Sequence, residues 1–372
     1  MQLSVIILNY NVRYFLEQCV LSVQKALDGI HGEIIVIDNA SSDDSCEMMK
    51  TKFPHIKLIE NKENLGFPKG NNIGVAQAKG EYVCILNPDT VVAEDTFSKI
   101  LNTKNWQLNT GIIGCRLIDG AGNFLPESKR GVPTPWVAFT KIFGLYKISN
   151  YFGKYYAQHL SENESGKVDI LVGAFMVMKR ELYLEIGGFD ENCFMYSDDI
   201  DLSYLVLKSG KSNYYFHETS VIHYKGESTV RDGAYMKRFR EAMQFFYNKH
   251  FKKSWFFDVM MQVGSFVFSL LKKSQQKNEV RTIDEYIVFS RENLELNLSK
   301  KAIYLADFNQ FVNQPQKNIE IIFDTTTFSF VEIITFMQLN KSKNLSFKNY
   351  ISSSNYLIGS NNSNDRGQII LL

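Results

Sequence analysis

The fold is indicated first by a short stretch near the N-terminus, Ser4-Val5-Ile6-Ile7-Leu8-Asn9-Tyr10-Asn11. From Val5 to Leu8 the stretch is wholly apolar, which is typical of a strand that is buried on both faces. The three residues that follow are polar. The apolar run is too short for a signal peptide and no basic residues precede it, so we interpret it as a strand of the fold.

The same alternation continues over the first 120 residues. Further strands are predicted at Glu33–Ile37, Lys57–Ile59, Tyr82–Leu86 and Ile112–Cys115. Apolar residues at helical spacing predict helices at Tyr14–Leu27, Asp43–Phe53, Lys69–Ala78 and Glu94–Leu101. Strands and helices that alternate in this way predict an α/β fold with a parallel, layered sheet and flanking helices.

Polar residues follow the predicted strands, where ligands bind to sheets of this kind. They are Asn9-Tyr10-Asn11, Asp38-Asn39, Glu60-Asn61 and Asn87-Pro88-Asp89. The sequence has no G-x-G-x-x-G after the first strand and no G-x-x-x-x-G-K-[ST] motif. We therefore expect a nucleotide-type sheet without either of the common phosphate-binding loops.

The composition of the 372 residues is that of a folded protein of two to three domains, with 45% hydrophobic and 22% charged residues. A formal net charge of +1 argues against nucleic acid as a partner. The five cysteines are scattered and form no C-x-x-C pair, so a disulfide framework or zinc site is not expected. A reducing compartment, and hence a cytoplasmic location, fits this pattern.

The first segment with candidate chemistry is Leu86-Asn87-Pro88-Asp89-Thr90, at the end of a strand that we expect to be central. A carboxylate there could hold a divalent cation against a diphosphate, because Mg²⁺ and Mn²⁺ prefer hard oxygen ligands. The alternative is an ordinary turn, since Asn-Pro-Asp is common turn chemistry.

The second segment, Ser197-Asp198-Asp199-Ile200-Asp201-Leu202, places three carboxylates in the opening of a predicted helix. Capping by Asp198 with Asp201 explains one or two of them, but not all three. Crowded carboxylates raise the pKa of at least one member, which suits a general base that works near neutral pH.

The third segment, Val221-Ile222-His223-Tyr224, ends a short apolar strand in a histidine. His223 is either a structural residue or a metal ligand that acts together with the acidic residues upstream.

In combination, the motifs resemble family 2 glycosyltransferases of the GT-A type, and most closely their rhamnosyltransferase-like bacterial members. The resemblance covers about residues 1–250. Its motifs, in chain order, are Ser4–Asn11, Val36–Asp43, Asn64–Phe67 with Asn71–Gly74, Gly80–Tyr82, Leu86–Asp89, Gly173–Met176, Gly187–Glu191, Asp198–Leu202 and His223.

The resemblance implies an inverting transferase that uses a nucleotide-diphosphate sugar and a divalent metal, Mn²⁺ or Mg²⁺. It assigns the metal to Asp89 and His223, and the catalytic base to Asp199 with Asp198 beside it. Acceptor contacts fall on Gly173, Ala174 and Asp201. The donor residues are Asn9, Tyr10, Asn11, Asp38 (at the base), Asn64, Gly66, Asn71, Asn87 and Asp89.

The chain departs from the family pattern at two positions. Asn87 stands where many relatives have the first Asp of a D-x-D motif, so Asp89 carries more of the metal binding. Asp198 replaces a more usual Glu. A retaining mechanism would need a second positioned nucleophile, for which the sequence offers no clear candidate.

Two other functions stay open on the residues alone. One is a nucleotidyltransferase, although such enzymes usually need a basic, glycine-rich loop early in the chain and Leu8–Arg13 contains no glycine. The other is a non-catalytic protein that binds a sugar nucleotide or a glycan. The donor base, the sugar and the acceptor, a glycan or a lipid-linked molecule, are not decided by the sequence.

Residues 251–281 form a basic, amphipathic segment. Its apolar run, Ser254–Leu271, carries a narrow polar stripe at helical spacing and lies between Lys252-Lys253 and Lys272-Lys273. This pattern favours a helix in the interface of an anionic membrane, with peripheral contact through residues 251–273 on the inner face of the cytoplasmic membrane. The alternative is a helix docked under the C-terminal domain.

Residues 282–372 are predicted to form a small α/β module of open role, after a transferase domain at 1–250 and the helical segment at 251–281. Strands are predicted at Asn318–Phe323, Leu345–Tyr350 and Tyr356–Ile358, and a helix at Phe328–Leu339.

Overall fold

The computed structural model describes residues 1–107, 109–134, 136–137, 140, 148, 150–225, 233–251, 282–361 and 367–372. The first elements are β1 (Leu3–Asn9), α1 (Arg13–Ala26), β2 (Gly32–Asp38), α2 (Ser45–Lys52), β3 (Lys57–Glu60), α3 (Gly66–Ala76), β4 (Tyr82–Leu86), β5 (Thr90–Val92), α4 (Thr96–Leu101) and β6 (Thr110–Ile118). Then follow β7 (Lys129–Arg130), β8 (Gly166–Val168), β9 (Ile170–Leu171), β10 (Phe175–Lys179), α5 (Arg180–Glu185), α6 (Asp198–Lys208), β11 (Ser212–His223) and α7 (Gly233–His250).

The main sheet has the strand order β3-β2-β1-β4-β10-β6-β11-β5, and β8 pairs with β11. The first four strands of this order are parallel, as predicted, and the α/β fold class is confirmed. All of β1 is buried because both faces of the sheet are covered. Val5 and Ile7 pack with residues of α1, whereas Ile6 and Leu8 pack on the other side with residues that include Val75 of α3.

The alternation over the first 120 residues predicts a parallel sheet, but beyond β4 the sheet is mixed. β10 runs antiparallel to both β4 and β6, and β11 runs antiparallel to β5. The stretch from Val168 to Lys179 is divided among β8, β9 and β10. Tyr214–Phe216 and Val221–Ile222 belong to one strand, β11, with a shift of register between Phe216 and Ser220. Apolar runs report burial, but they carry no information on strand direction or on bulges.

The C-terminal residues form a second sheet, the C-terminal sheet, of order β13-β12-β14-β15-β16-β17. Its elements are β12 (Glu285–Phe289), β13 (Ala302–Leu305), β14 (Ile319–Asp324), α8 (Phe330–Leu339), β15 (Leu345–Ile351), β16 (Tyr356–Gly359) and β17 (Gln368–Leu371). β14, α8, β15 and β16 lie where the sequence predicts them, whereas β12, β13 and β17 are additional. The sheet packs against the N-terminal part of the chain through a shared apolar core.

The predicted amphipathic segment at 251–281 lies outside the described residues, apart from Phe251. Among the helices that the structure describes, none combines the length and the apolar character that crossing a membrane requires.

Candidate active site

The first polar cluster lies at the carboxyl ends of β1 and β2, where Asn9 and Asp38 are paired in register. Asp38 is buried, and its carboxylate accepts hydrogen bonds from Asn9 Nδ2 (2.8 Å), Ser41 N (2.8 Å) and Ser41 Oγ (2.6 Å). These donors fix the loop after β2 against β1. Asp38 thereby organises the cluster, and its contact with a nucleotide base stays a prediction.

Asn64 and Gly66 join this cluster through Asn39. Asn39 Nδ2 donates to Asn64 Oδ1 (3.3 Å) and to Gly66 O (3.1 Å), and Gly66 N donates to Asn64 Oδ1 (3.0 Å). Gly66 has a φ of +80°, and a Cβ there would lie 2.7 Å from Phe194 O. Only glycine fits at this position, because both the backbone conformation and the space exclude a side chain.

Asn11 and Asn71 complete the predicted donor residues. Asn11 has a left-handed φ of +55°, which asparagine tolerates, and its Oδ1 accepts a hydrogen bond from Ser42 N (2.7 Å). Tyr10 beside it is half-buried. Asn71 on α3 is fully buried, and its Oδ1 has no hydrogen-bond partner in the described part of the chain.

The two residues predicted to hold a metal lie together. β5 pairs with β11 so that Thr90 lies opposite His223, which places His223 beside Asp89. His223 Nε2 is 3.5 Å from Asp89 Oδ1 and 3.3 Å from Asn87 Nδ2, and both Asp89 and His223 are buried. Asn87 therefore contacts the imidazole with a neutral side chain. An aspartate at the same position would add negative charge.

The chemistry of this pair fits a divalent cation. Among the described residues, the carboxylate of Asp89 accepts no hydrogen bond and makes no ion pair with a lysine or arginine. Lys225, two residues beyond His223, pairs with Glu127 instead. A buried carboxylate without a fixed counter-charge is costly, and a carboxylate oxygen beside an imidazole nitrogen suits Mn²⁺ or Mg²⁺.

Gly173 and Ala174 connect this pair to the acidic segment of α6. Ala174 O accepts a hydrogen bond from Asn87 N (3.0 Å), and Gly173 N donates to Asp199 Oδ2 (3.1 Å). A Cβ on Gly173 would lie 3.3 Å from Asp199 Cβ and 3.6 Å from Asp198 Oδ2, so the glycine keeps a space open beside both carboxylates.

Asp198 and Asp199 are buried side by side at the start of α6. Burial and the charge of Asp199 raise the pKa of Asp198 to about 7. The alternative interpretation of Asp198 as an N-cap is wrong, because the N-cap residue is Ser197 and no side chain caps the helix.

Arg130 is a site residue that the sequence analysis missed. Its Nη2 lies 2.5 Å from Asp199 Oδ2 and also donates to Leu171 O (3.2 Å). Although burial alone would lower the pKa of the guanidinium, the charge of Asp199 raises it. Arg130 belongs to the two-residue strand β7, which pairs with β9, and so short a strand has no hydrophobic periodicity that could reveal it.

Asp201, predicted to bind the acceptor, has different neighbours. Its carboxylate lies 2.8 Å from Lys249 Nζ and 2.5 Å from His250 Nε2, both at the C-terminal end of α7. These ion pairs attach α7 to α6. The carboxylate of Asp201 therefore already has two partners, Lys249 and His250. Its contact with an acceptor stays a prediction.

Comparisons with known proteins agree with these motifs. Residues 4–187 match the family model described as glycosyl transferase family 2. The chain is 26% identical over 243 residues to the N-acetylglucosaminyl-diphospho-decaprenol L-rhamnosyltransferase of Mycobacterium tuberculosis (strain ATCC 25618 / H37Rv). The aligned region covers 62% of this chain and 79% of that protein. It is also 28% identical over 212 residues to rhamnosyltransferase WbbL of Escherichia coli (strain K12), and this alignment covers 53% of this chain and 74% of WbbL.

Among solved structures, the mannosyltransferase PcManGT from Pyrobaculum calidifontis matches 72% of this chain and 69% of its own, with 19% identity and a TM-score of 0.46. A similarity of this level decides neither the substrate nor the cofactor. The family match and the rhamnosyltransferases carry the assignment. The chain therefore belongs to glycosyltransferase family 2 and is a glycosyltransferase, with its family domain at residues 4–187.

Proposed function

We propose that the protein transfers a sugar, with inversion and with a divalent metal, from a nucleotide-diphosphate sugar to a hydroxyl group of a glycan or a lipid-linked acceptor. The curated relatives are named for cell-wall and polysaccharide synthesis, such as the N-acetylglucosaminyl-diphospho-decaprenol L-rhamnosyltransferase and a minor teichoic acid biosynthesis protein. We place the reaction in the synthesis of a bacterial cell-surface polysaccharide on this ground.

The observation that carries the proposal is the bridge formed by Gly173 and Ala174. It joins the pair Asp89–His223, through Asn87, to the acids Asp198 and Asp199. Glycosyl transfer needs a group that stabilises the leaving diphosphate and a base on the other side of the anomeric carbon. Residues suited to each task are linked through this bridge, which supports the proposal.

On the donor side, Asp89 and His223 would hold Mn²⁺ or Mg²⁺. Such a cation supplies positive charge that offsets the charge developing on the departing diphosphate. No third His, Cys, Asp or Glu joins the pair within the described residues, which leaves coordination positions for the oxygen atoms of a donor. The cluster around Asn9, Asp38 and Asn64 would hold the nucleoside.

On the acceptor side, both fixed contacts of Asp199, from Arg130 and Gly173, fall on Oδ2. Oδ1 makes no hydrogen bond within the described part of the chain and would accept the proton of the acceptor hydroxyl. The hydroxyl oxygen forms its bond to the anomeric carbon as the bond to the diphosphate breaks, and the leaving group keeps the electron pair. One displacement inverts the centre and forms no covalent sugar–enzyme intermediate.

The membrane location of this reaction rests on the sequence of residues 251–273. We expect the protein to act at the inner face of the cytoplasmic membrane, because a lipid-linked acceptor and a basic amphipathic segment suit one another. Flotation with vesicles that contain anionic lipid tests this expectation. Recovery of the whole protein in the soluble fraction, with and without residues 251–273, would contradict it.

A thermal-shift panel of sugar nucleotides with Mn²⁺ or Mg²⁺ tests the donor and the metal, because a ligand of the folded state raises the melting temperature. Release of the nucleoside diphosphate upon addition of acceptor then tests transfer. Donor binding without release, across a panel of glycan and lipid-linked acceptors, would favour a binding protein over an enzyme.

A further inference from the structure

The two proposed metal-binding residues are carried by one short ribbon, formed by Thr90–Val92 of β5 and Val221–His223 of β11. We call it the ligand ribbon. Asp89 directly precedes its first strand, and His223 ends its second. Tyr224 N donates to Asp89 O (3.0 Å), which closes the ribbon at the end where the two side chains meet. The position of the ribbon therefore sets the distance between Asp89 and His223.

The ribbon separates two apolar cores. Val92 and Val221 pack into the core of the main sheet. Val91 and Ile222, which are adjacent to Val92 and Val221 in their strands, pack on the opposite face with Tyr224. Side chains alternate between the faces of a strand, so His223 points away from the face that carries Ile222 and Tyr224.

The C-terminal sheet supplies the core on that opposite face. Ile287 and Phe289 of β12, Ile321 of β14 and Ile333 of α8 belong to the same apolar cluster as Val91 and Ile222. Each buried side chain of this kind stabilises the contact through removal of apolar surface from water. The ribbon thus lies between the metal-binding residues on one side and the C-terminal sheet on the other.

Polar contacts also hold the C-terminal sheet in a fixed position against the ribbon. The carboxylate of Glu94, two residues after β5, accepts hydrogen bonds from Phe330 N (2.8 Å) and Val331 N (2.9 Å) at the start of α8. A carboxylate at a helix N-terminus is favourable, because the first N–H groups of a helix have no partner within it. At the other strand, Gln338 Nε2 donates to Ser220 Oγ (2.8 Å).

A third contact reaches the residue beside the histidine. Asn349 Nδ2 of β15 donates to Tyr224 OH (3.4 Å), and the ring of Tyr224 packs edge-to-face against Phe15, with ring centroids 5.2 Å apart. Tyr224 is buried. Contacts from the C-terminal sheet therefore reach residues that flank the ribbon. Glu94 follows its first strand, and Ser220 and Tyr224 stand directly before and after Val221–His223.

We propose that the C-terminal sheet with α8 positions the metal site by supporting the ligand ribbon on the face opposite His223. The inference rests on the proposed function, in which Asp89 and His223 bind a divalent cation. A site with two protein ligands depends on their orientation, and the groups that fix such ligands commonly change metal affinity by about 10- to 100-fold when they are removed. Ile321 and Tyr224 are positioning residues in this arrangement, since they would act through the ribbon and not on the metal.

Two neighbouring isoleucines of β14 provide a matched test. Ile321 and Ile322 are both fully buried, but Ile321 faces the core shared with the ribbon, whereas Ile322 faces a separate cluster on the far side of the C-terminal sheet. Each change to alanine deletes the same atoms. The variants should therefore lose similar stability, while only Ile321→Ala loosens the ribbon.

The measurement is Mn²⁺ binding to the full chain, by electron paramagnetic resonance of free Mn²⁺, alone and with UDP or dTDP. We expect Ile321→Ala to weaken binding about tenfold and Ile322→Ala to leave it within about twofold, with similar decreases in melting temperature. Glu94→Gln removes the charge that lies at the first N–H groups of α8. This variant provides the test if Ile321→Ala does not fold.

Each outcome has a different meaning. Wild-type affinity in Ile321→Ala and Glu94→Gln would overturn the supporting role and leave the metal site in place. Equal weakening in Ile321→Ala and Ile322→Ala would also overturn it, since the effect would then follow general stability. Absence of Mn²⁺ binding in the wild-type protein under all three conditions would refute the metal site itself, and the inference with it.

Discussion

The two pairs of titratable side chains at the site differ in how their charge is balanced. Asp198 and Asp199 lie together with Arg130, whose guanidinium contacts Asp199 directly. Asp89 lies beside His223, and among the described residues it has no lysine or arginine partner. The protein itself supplies the counter-charge in the first pair, whereas the second leaves room for a cation that binds and leaves. This difference distinguishes the acids that we propose to accept a proton, called the proton site below, from the pair that we propose to bind a cation, called the metal site below.

The largest expected effect is at the proton site. Asp199→Asn keeps the size of the side chain but removes the base, so we expect turnover to fall by about 10²- to 10⁴-fold. Donor binding should stay within about twofold, because the donor cluster does not include Asp199. Release of the nucleoside diphosphate at saturating donor measures the first quantity, and the thermal shift with donor measures the second. Unchanged turnover would refute Asp199 as the base.

Asp201→Asn is the matched control, since it alters a carboxylate of the same helix that pairs with Lys249 and His250. We expect a lower melting temperature with little change in turnover. A raised KM for the acceptor in this variant would instead support the acceptor contact predicted from the sequence.

The next effect is at the metal site. Asp89→Asn removes the negative charge, so we expect donor affinity to lose its dependence on Mn²⁺ or Mg²⁺ and turnover to fall by about 10²- to 10³-fold. Titration of donor binding with and without metal measures this change. A variant that responds to metal as the wild type does would place the cation elsewhere, and the two pairs would then not differ in the way described.

A smaller effect tests the counter-charge of the proton site. The positive charge of Arg130 lowers the pKa of Asp198, which burial and Asp199 raise. Arg130→Met removes that charge, so the pKa of Asp198 should rise further, which a carbon-13 NMR titration of the aspartate carboxyl groups would measure. Arg130→Lys retains the charge and should raise this pKa less. Asp199 also faces Asp198 with a negative charge, and the Cys193 thiol lies close by. An unchanged pKa of Asp198 in Arg130→Met would contradict a role for this charge.

The comparison also shows what could be predicted from the sequence. Asp89 was identifiable because it follows a buried strand, and the ends of parallel strands meet at one edge of the sheet. His223 was a candidate because it ends an apolar strand. The resemblance alone predicted that they lie close together. The local patterns could not, since the contact at 3.5 Å depends on the antiparallel pairing of β5 with β11. Local sequence patterns report burial, and the partner of a strand is decided by the rest of the chain.

Arg130 and the edge strand β13 of the C-terminal sheet were missed for related reasons. Arg130 lies in a strand of two residues, where no periodicity can be read, and its pairing with Ile170 spans a long stretch of chain. Ala302–Leu305 forms an edge strand that is half-exposed, so its pattern is weaker than that of a buried strand. The contact of Glu94 with α8 links residues more than 230 positions apart, and only the folded structure reveals it.

The smallest expected effect concerns stability at the proton site. The pKa of Asp198 is raised from 3.8 to about 7 in the folded protein, so the folded state binds this proton more tightly than the unfolded state does. The stabilisation that comes from this tighter proton binding is therefore complete below about pH 4 and is lost as the pH rises through about 7. Asp198→Asn cannot ionise, and we expect it to raise the melting temperature relative to wild type at pH 8 but to have little effect at pH 4. An equal difference for Asp198→Asn at both pH values would mean that the carboxyl group ionises as freely in the folded chain as in the unfolded one, and the distinction between the two pairs would then rest on the metal site alone.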